Sequence, residues 1–226
     1  MSWHDSVKNS GFAMLPSLFS GAEVKRLVED LEKSTLSRSR AGIRHAIKHS
    51  AVAELANEER LINLAKEILG EEAIPFHATL FDKSPSANWL VMWHQDTALP
   101  IRERRESAGW GPWSVKEGVT YAHAPASALS NVLALRIHLD DSTESNGPLR
   151  VLPGTHSLGV LDEQSIHELA EKIESAECLV DKGGILAMRP LLLHASSKST
   201  NTAPRRVLHI QYASSPILTN GLELAR

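Results

Sequence analysis

A chain of 226 residues with 42% hydrophobic and 23% charged side chains can bury one full apolar core, so a single domain over residues 1–226 is the expectation. A formal net charge of −3 supplies no long-range field for nucleic acid or an anionic membrane. Cys178 is the only cysteine, the first ten residues are polar, and no stretch nears the roughly 20 apolar residues of a membrane span. These features predict a soluble cytoplasmic protein, monomer or homodimer, that binds neither nucleic acid nor membrane.

The helical part comes first. Ser20-Gly21-Ala22-Glu23 has capping-box spacing, and Val24, Leu27, Val28 and Leu31 recur at helical intervals, predicting a helix near 21–34. A second helix is predicted from Asn57 through Leu61, Ile62, Leu64, Ala65 and Ile68, with Gly70 at its C-terminal end. From Ile74 onward the pattern shortens to strand-length pieces at 76–81, 90–94, 132–139, 149–152, 179–180, 185–188 and 207–212. Turn-rich connections separate them, which favours an α+β fold with an antiparallel sandwich or jelly roll over a doubly wound parallel sheet. Residues 97–131 lack periodicity and carry Arg102, Arg104, Arg105, Trp110, Trp113 and Tyr121. They read as an active-site loop or lid.

The chemistry concentrates in Trp93-His94-Gln95-Asp96. In a strand, residues i and i+2 share a face, so His94 and Asp96 converge on one ion while Gln95 faces away. With His194 as a third ligand, two imidazoles and one carboxylate form the set used by non-heme Fe(II) oxygenases, which leaves open positions for a 2-oxoacid and O2. Arg205 follows His194 by eleven residues across a turn-rich segment. Its guanidinium fork suits the far carboxylate of 2-oxoglutarate, and Ser196 offers a hydroxyl beside it. His138-Leu139-Asp140 has the same spacing as His94-Gln95-Asp96, and the spacing does not choose between the two pairs. Arg206 alternates to the opposite face, as a surface residue or fallback clamp. His156 reads as a structural hydrogen-bonder and His209 as barrel filling, while the pattern does not place Lys83.

Four blocks together resemble the phytanoyl-CoA dioxygenase family in order and spacing: Phe81-Asp82-Lys83-Ser84-Pro85, Trp93 to Asp96, Asn146 to His156, and His194 to Arg205. The resemblance covers roughly residues 74–214. It implies a double-stranded β-helix, a cupin-like jelly roll, braced by the N-terminal helices. It further implies Fe(II) on His94, Asp96 and His194, with 2-oxoglutarate held by Arg205 and Ser196, and Gln95 and Arg136 lining the cofactor pocket. The implied reaction consumes O2 and 2-oxoglutarate, releases succinate and CO2, and hydroxylates a small molecule; the retained Asp96 favours hydroxylation over halogenation. Two alternatives keep the same residues: a zinc hydrolase with an activated water, and a non-catalytic jelly-roll binding module.

Overall fold

The computed structural model describes residues 2–33, 39, 42–84 and 87–225. In chain order the elements are α1 (Trp3–Ser10), β1 (Phe12–Leu15), α2 (Gly21–Glu32), β2 (Gly42–Ile43), α3 (Ser50–Ala56), α4 (Glu59–Leu69), β3 (Ile74–Lys83) and β4 (Val91–His94). There follow β5 (Ala98–Ile101), β6 (Trp113–Lys116), β7 (Val119–His123) and α5 (Ala126–Leu129). The rest is β8 (Val132–His138), β9 (Leu149–Val151), α6 (Glu163–Lys172), β10 (Ala176–Cys178), β11 (Ile185–Met188), β12 (His194–Ser196) and β13 (Arg205–Ala213).

The capping box behaves as its spacing predicts: the Ser20 hydroxyl accepts from the Glu23 N–H, and the Glu23 carboxylate accepts from the Ser20 N–H. This satisfies donors that a helix start leaves unpaired. The helix ends at Glu32, and residue 34, where the sequence predicts its end, lies outside the described residues, as does Pro85 of the first motif block. Gly70 ends α4 at φ 94°, a conformation that costs a side-chain-bearing residue steric strain. Among the described residues no helix is long and apolar enough to cross a membrane.

Two antiparallel sheets carry the chain. The larger has the order β1-β11-β8-β13-β3-β2, and the smaller β10-β9-β12-β4. Because β3, β8, β11 and β13 of one sheet are connected through strands of the other, the arrangement is the expected jelly roll. Strand alternation assigns the faces. Leu208, Ile210 and Tyr212 of β13, with Leu133, Leu135 and Ile137 of β8, join the core shared with Val24, Leu31, Val52, Leu61 and Ala65 of the helices. The Tyr212 hydroxyl donates to the Ala56 carbonyl at 2.8 Å, so its one polar atom is satisfied inside that core. The opposite faces of these strands and of β3 carry polar residues: His77, Lys83, Arg136, His138, Arg205, His209 and Gln211 are all buried. Burying that many polar groups is costly unless each has a partner or a ligand.

Residues 97–131 are not a loop. They fold into a third antiparallel sheet, β5-β7-β6, followed by α5. Leu99, Ile101, Trp110 and Ala122 anchor it in a core shared with Leu222 and Leu224. Its hairpin turns at Glu117 (φ 50°) and Gly118 (φ 79°), a tight turn that spares no residue for periodicity. The strand predicted at 179–180 lies earlier, at Ala176–Cys178 against β9, and Val180 makes only an isolated bridge to Ser142.

Candidate metal centre

β4 ends at His94, whose register partner on β12 is His194, and the two rings lie 4.2 Å apart between centroids. Asp96 stands just beyond the strand, fixed by its N–H donating to the Pro190 carbonyl at 2.9 Å. One carboxylate oxygen is 3.6 Å from His94 Nε2 and the other 3.6 Å from His194 Nε2. The Nδ1–H of His94 donates to the Met92 carbonyl at 2.8 Å, and that of His194 to the Leu192 carbonyl at 2.9 Å. Spending Nδ1–H on main chain assigns the tautomer and turns the bare Nε2 lone pairs toward Asp96. A separation of 3.6 Å exceeds an ordinary hydrogen bond, whereas two metal–ligand bonds of about 2 Å each span it. The three ligand atoms lie within 4.8 Å of one another, and among the described residues they fit one divalent ion.

The electrostatics agree with that fit. Burial pushes the Asp96 carboxyl upward, but the fields of His194, His94 and His209 outweigh it and hold the group well below the usual carboxylate range. Burial lowers His194 to about 4 against the pull of Asp96, so this imidazole is neutral near pH 7. Burial acts downward on His94 too, but there the Asp96 carboxylate wins and raises it. A bound cation replaces the proton that these groups share.

Gln95 faces away from the ligands, as the strand alternation requires. Its Nε2 donates to the Gly159 and Leu191 carbonyls at 2.8 and 2.7 Å, and its Oε1 accepts from the Leu161 N–H at 2.9 Å. The carboxamide therefore ties the His-x-Asp segment to the stretch before α6 and to the stretch leading into His194.

Deeper in the barrel, Arg205 and Lys83 are register partners on β13 and β3. Ser196 joins them: its hydroxyl accepts from Lys83 Nζ at 2.8 Å and from Arg205 Nη2 at 3.4 Å, and donates to the Gly147 carbonyl at 2.9 Å. Lys83 also donates to the Ser197 carbonyl at 2.6 Å, and Arg205 Nε to the Asn146 carbonyl at 3.3 Å. Gly147, at φ 68°, is forced here, because a Cβ would sit 2.4 Å from the Ser197 oxygen and 3.2 Å from Lys83 Nζ. Neither cation has an acidic partner among the described residues. Burial, then mutual repulsion with Arg205, lowers Lys83 to about 8; burial, then Arg136, lowers Arg205 to about 10. Two adjacent buried cations without a counter-ion are a cradle for an acid group, which is the fit that 2-oxoglutarate requires. Arg136 is the register partner of His209, four residues along β13 from Arg205: its Nη1 donates to His209 Nδ1 at 2.9 Å, while its Nε has no partner.

The rival pair does not converge. Asp140 is held by Arg206, whose Nε and Nη2 each donate to the carboxylate at 2.8 Å, and whose main-chain N–H does so at 2.9 Å. Arg206 also reaches Glu32 at 3.3 Å, so it joins the sheet to α2 and is neither a free surface residue nor a clamp. His138 points into the barrel with both ring nitrogens unpartnered. His156 Nε2 meets the Lys8 carbonyl at 3.2 Å, the structural hydrogen bond expected of it. Lys83, which the sequence pattern does not place, and His209, which it assigns to barrel filling, join Arg136 here. Only the β3–β13 register, joining positions 83 and 205, reveals the first.

A cavity of about 210 Å³ opens beside Asp96, lined among others by His77, Thr79, Lys116, His123, His209 and Gln211. His77 is held between partners, Nδ1–H donating to Gln211 Oε1 and Nε2 accepting from the Tyr121 hydroxyl, each at 3.1 Å. Burial lowers it to about 4, so it is a neutral wall.

The sequence profile of the family described as Phytanoyl-CoA dioxygenase (PhyH) matches residues 7–207. Among curated proteins, the chain is 24% identical to the "Probable alpha-ketoglutarate-dependent hypophosphite dioxygenase" of Stutzerimonas stutzeri, over 91% of this chain and 75% of that one. It is 23% identical to the ectoine dioxygenase of Bordetella bronchiseptica (92% and 73% covered), and 24% identical to the L-proline trans-4-hydroxylase of Streptomyces griseoviridis (89% and 82% covered). Among solved structures, EctD from S. alaskensis with 2-oxoglutarate and 5-hydroxyectoine superposes with a TM-score of 0.68 at 22% identity, covering 93% of this chain and 74% of that one.

Proposed function

We propose, from the premise that this chain belongs to the phytanoyl-CoA dioxygenase family, that His94, Asp96 and His194 hold its iron and that Arg205, Ser196 and Lys83 hold its co-substrate. The chain is an iron- and 2-oxoglutarate-dependent dioxygenase, an oxidoreductase that consumes O2. One observation supports the ligand assignment above the others: two imidazoles with Nδ1 committed to main chain present free Nε2 atoms to one carboxylate. Iron(II), when bound with 2-oxoglutarate and O2, supplies the oxidising power for an unactivated C–H bond. The chain's own residues do the rest. Asp96 and the two histidines would hold the ion through three ligand atoms, a set that leaves positions for the co-substrate and O2. Lys83 and Arg205 fix the distal carboxylate of the co-substrate, with Ser196 holding both cations in register. Arg136 adds a third buried positive charge, coupled to Asp96, and its unpartnered Nε–H would be available to donate to the co-substrate's acid group. Gln95 holds the ligand strand in place. The substrate is a small molecule and the outcome hydroxylation, carried by one domain.

An anaerobic optical titration tests this reading: metal-free protein receives Fe(II) and then 2-oxoglutarate, and the visible charge-transfer band of a chelated iron–oxoacid complex is followed. Wild type develops the band and Asp96→Ala does not. Arg205→Ala retains iron but weakens 2-oxoglutarate by about 30-fold or more, because truncating a buried charged contact costs about 2–5 kcal/mol. Iron binding without a band in wild type contradicts the reading, and an Arg205→Ala titration that overlays wild type removes the clamp.

A further inference from the structure

We propose that the cavity beside Asp96 takes a compact carboxylic acid, with Lys116 as the counter-ion of its acid group; this rests on the metal centre as assigned above. Size comes first. The whole cavity is about 210 Å³, below the roughly 300–1,000 Å³ of sites for drug-sized ligands. Its Phe81 and His209 end leads toward Arg136 and the Lys83–Arg205 cradle, so the co-substrate takes part of that volume. What remains suits a metabolite of amino-acid size.

Charge comes second. Asp96 is the only acid lining the cavity. Lys83, Arg136 and Arg205 are buried in the barrel interior, and the field of Asp96 reaches Arg136. Iron(II) and doubly charged 2-oxoglutarate cancel each other and leave the excess positive charge in place. A cationic substrate is repelled, and an anionic group is drawn in.

Placement comes third. Lys116 lines the cavity on the wall contributed by β6, half-buried, with Nζ 5.0 Å from the centre of the Tyr121 ring. It has no acidic partner among the described residues; Arg44, the nearby cation, reaches Glu117 at 3.9 Å. Its main chain is tied down, since the buried His45 Nε2–H donates to the Lys116 carbonyl at 3.4 Å. Burial, then repulsion from Arg44, disfavours its charged form and outweighs the attraction of Asp96; an incoming carboxylate adds to that attraction. A carboxylate at Lys116 sets the opposite end of the molecule beside Asp96, while Thr79 and Gln211 offer neutral polar contacts between them.

The test is saturation-transfer NMR on the full chain loaded with Zn(II) and 2-oxoglutarate. The probes are a mixture of three- to eight-carbon carboxylic acids and the proteinogenic amino acids, then the same compounds as primary amides. The expected result is transfer to one or more acids and to none of the amides. Lys116→Met should weaken the binding acid at least tenfold while 2-oxoglutarate stays within twofold, and Lys116→Arg should restore the acid to within about threefold. Amides binding as well as acids, an acid indifferent to Lys116→Met, or no acid binding at all overturns the proposal. The 2-oxoglutarate signals in the same tube report separately on the co-substrate cradle: their loss with acid binding intact breaks that assignment and not this one.

Discussion

His94-Gln95-Asp96 and His138-Leu139-Asp140 share one spacing, both follow or end a strand, and the fold gives them opposite uses. At the first, the histidine's Nδ1–H is spent on its own chain, the aspartate is free of any arginine, and a second histidine sits across the ladder. At the second, the aspartate is consumed by Arg206, and the histidine lies in the barrel with no hydrogen bond. A His-x-Asp pair is therefore only a local geometry. What brings three ligand atoms together is the neighbouring strand, and β12 with His194 lies beside β4 and not beside β8.

The contrast can be broken by substitution. The largest effect is expected for His194→Ala, which removes the ligand from the neighbouring strand: iron affinity, read by titration calorimetry under argon, should fall at least 100-fold. If His138 could serve instead, affinity would stay within a few-fold. Gln95→Ala leaves all three ligands in place but frees the strand from its three main-chain contacts, and losses of about tenfold in iron affinity are expected, at the low end for groups that orient metal ligands. An unchanged affinity would show that the carboxamide positions nothing.

His138 differs from His94 in acidity as well. Burial, then Arg136 and Arg205, lowers this histidine to about 3, and burial, then Arg136, lowers His209 to about 3 as well. Between those values and the unfolded value of about 6.5, the unfolded chain binds protons that the folded chain refuses. Stability therefore falls as pH drops through that window and levels off above it. His138→Leu removes one such proton, so the slope of unfolding free energy against pH should shrink by about 1.4 kcal/mol per unit between pH 6 and 4. Urea unfolding across that range checks it, and a slope equal to wild type would place the proton uptake elsewhere.

Legibility in the sequence followed the strength of the physical signal. The helices α2 and α4 announced themselves through caps and an apolar face, and the long strands β3, β8 and β13 through their apolar residues. The helix α6 buries no residue, so it carries no apolar period to detect; its signal was the Asp162 cap on the Ser165 N–H. The sheet β5-β7-β6 is not legible as strands because each is four to five residues long, β5 carries Pro100, and β6 and β7 mix polar and apolar residues. The strand β12 is three residues and was visible only as a histidine. At the site, the ligands and Arg205 were legible from spacing together with the family resemblance. Lys83 was not, because its contact with Ser196 crosses 113 positions and depends on which strands pair.

The central claim is that the iron sits on the first pair and not the second. The most direct measurement is Fe(II) affinity, under argon, of Asp96→Asn beside Asp140→Asn. The account predicts a loss of at least 100-fold for the first, and for the second an affinity within twofold of wild type together with a lowered melting temperature from the broken Arg206 contact. Equal losses in both, or retention in Asp96→Asn, would contradict it.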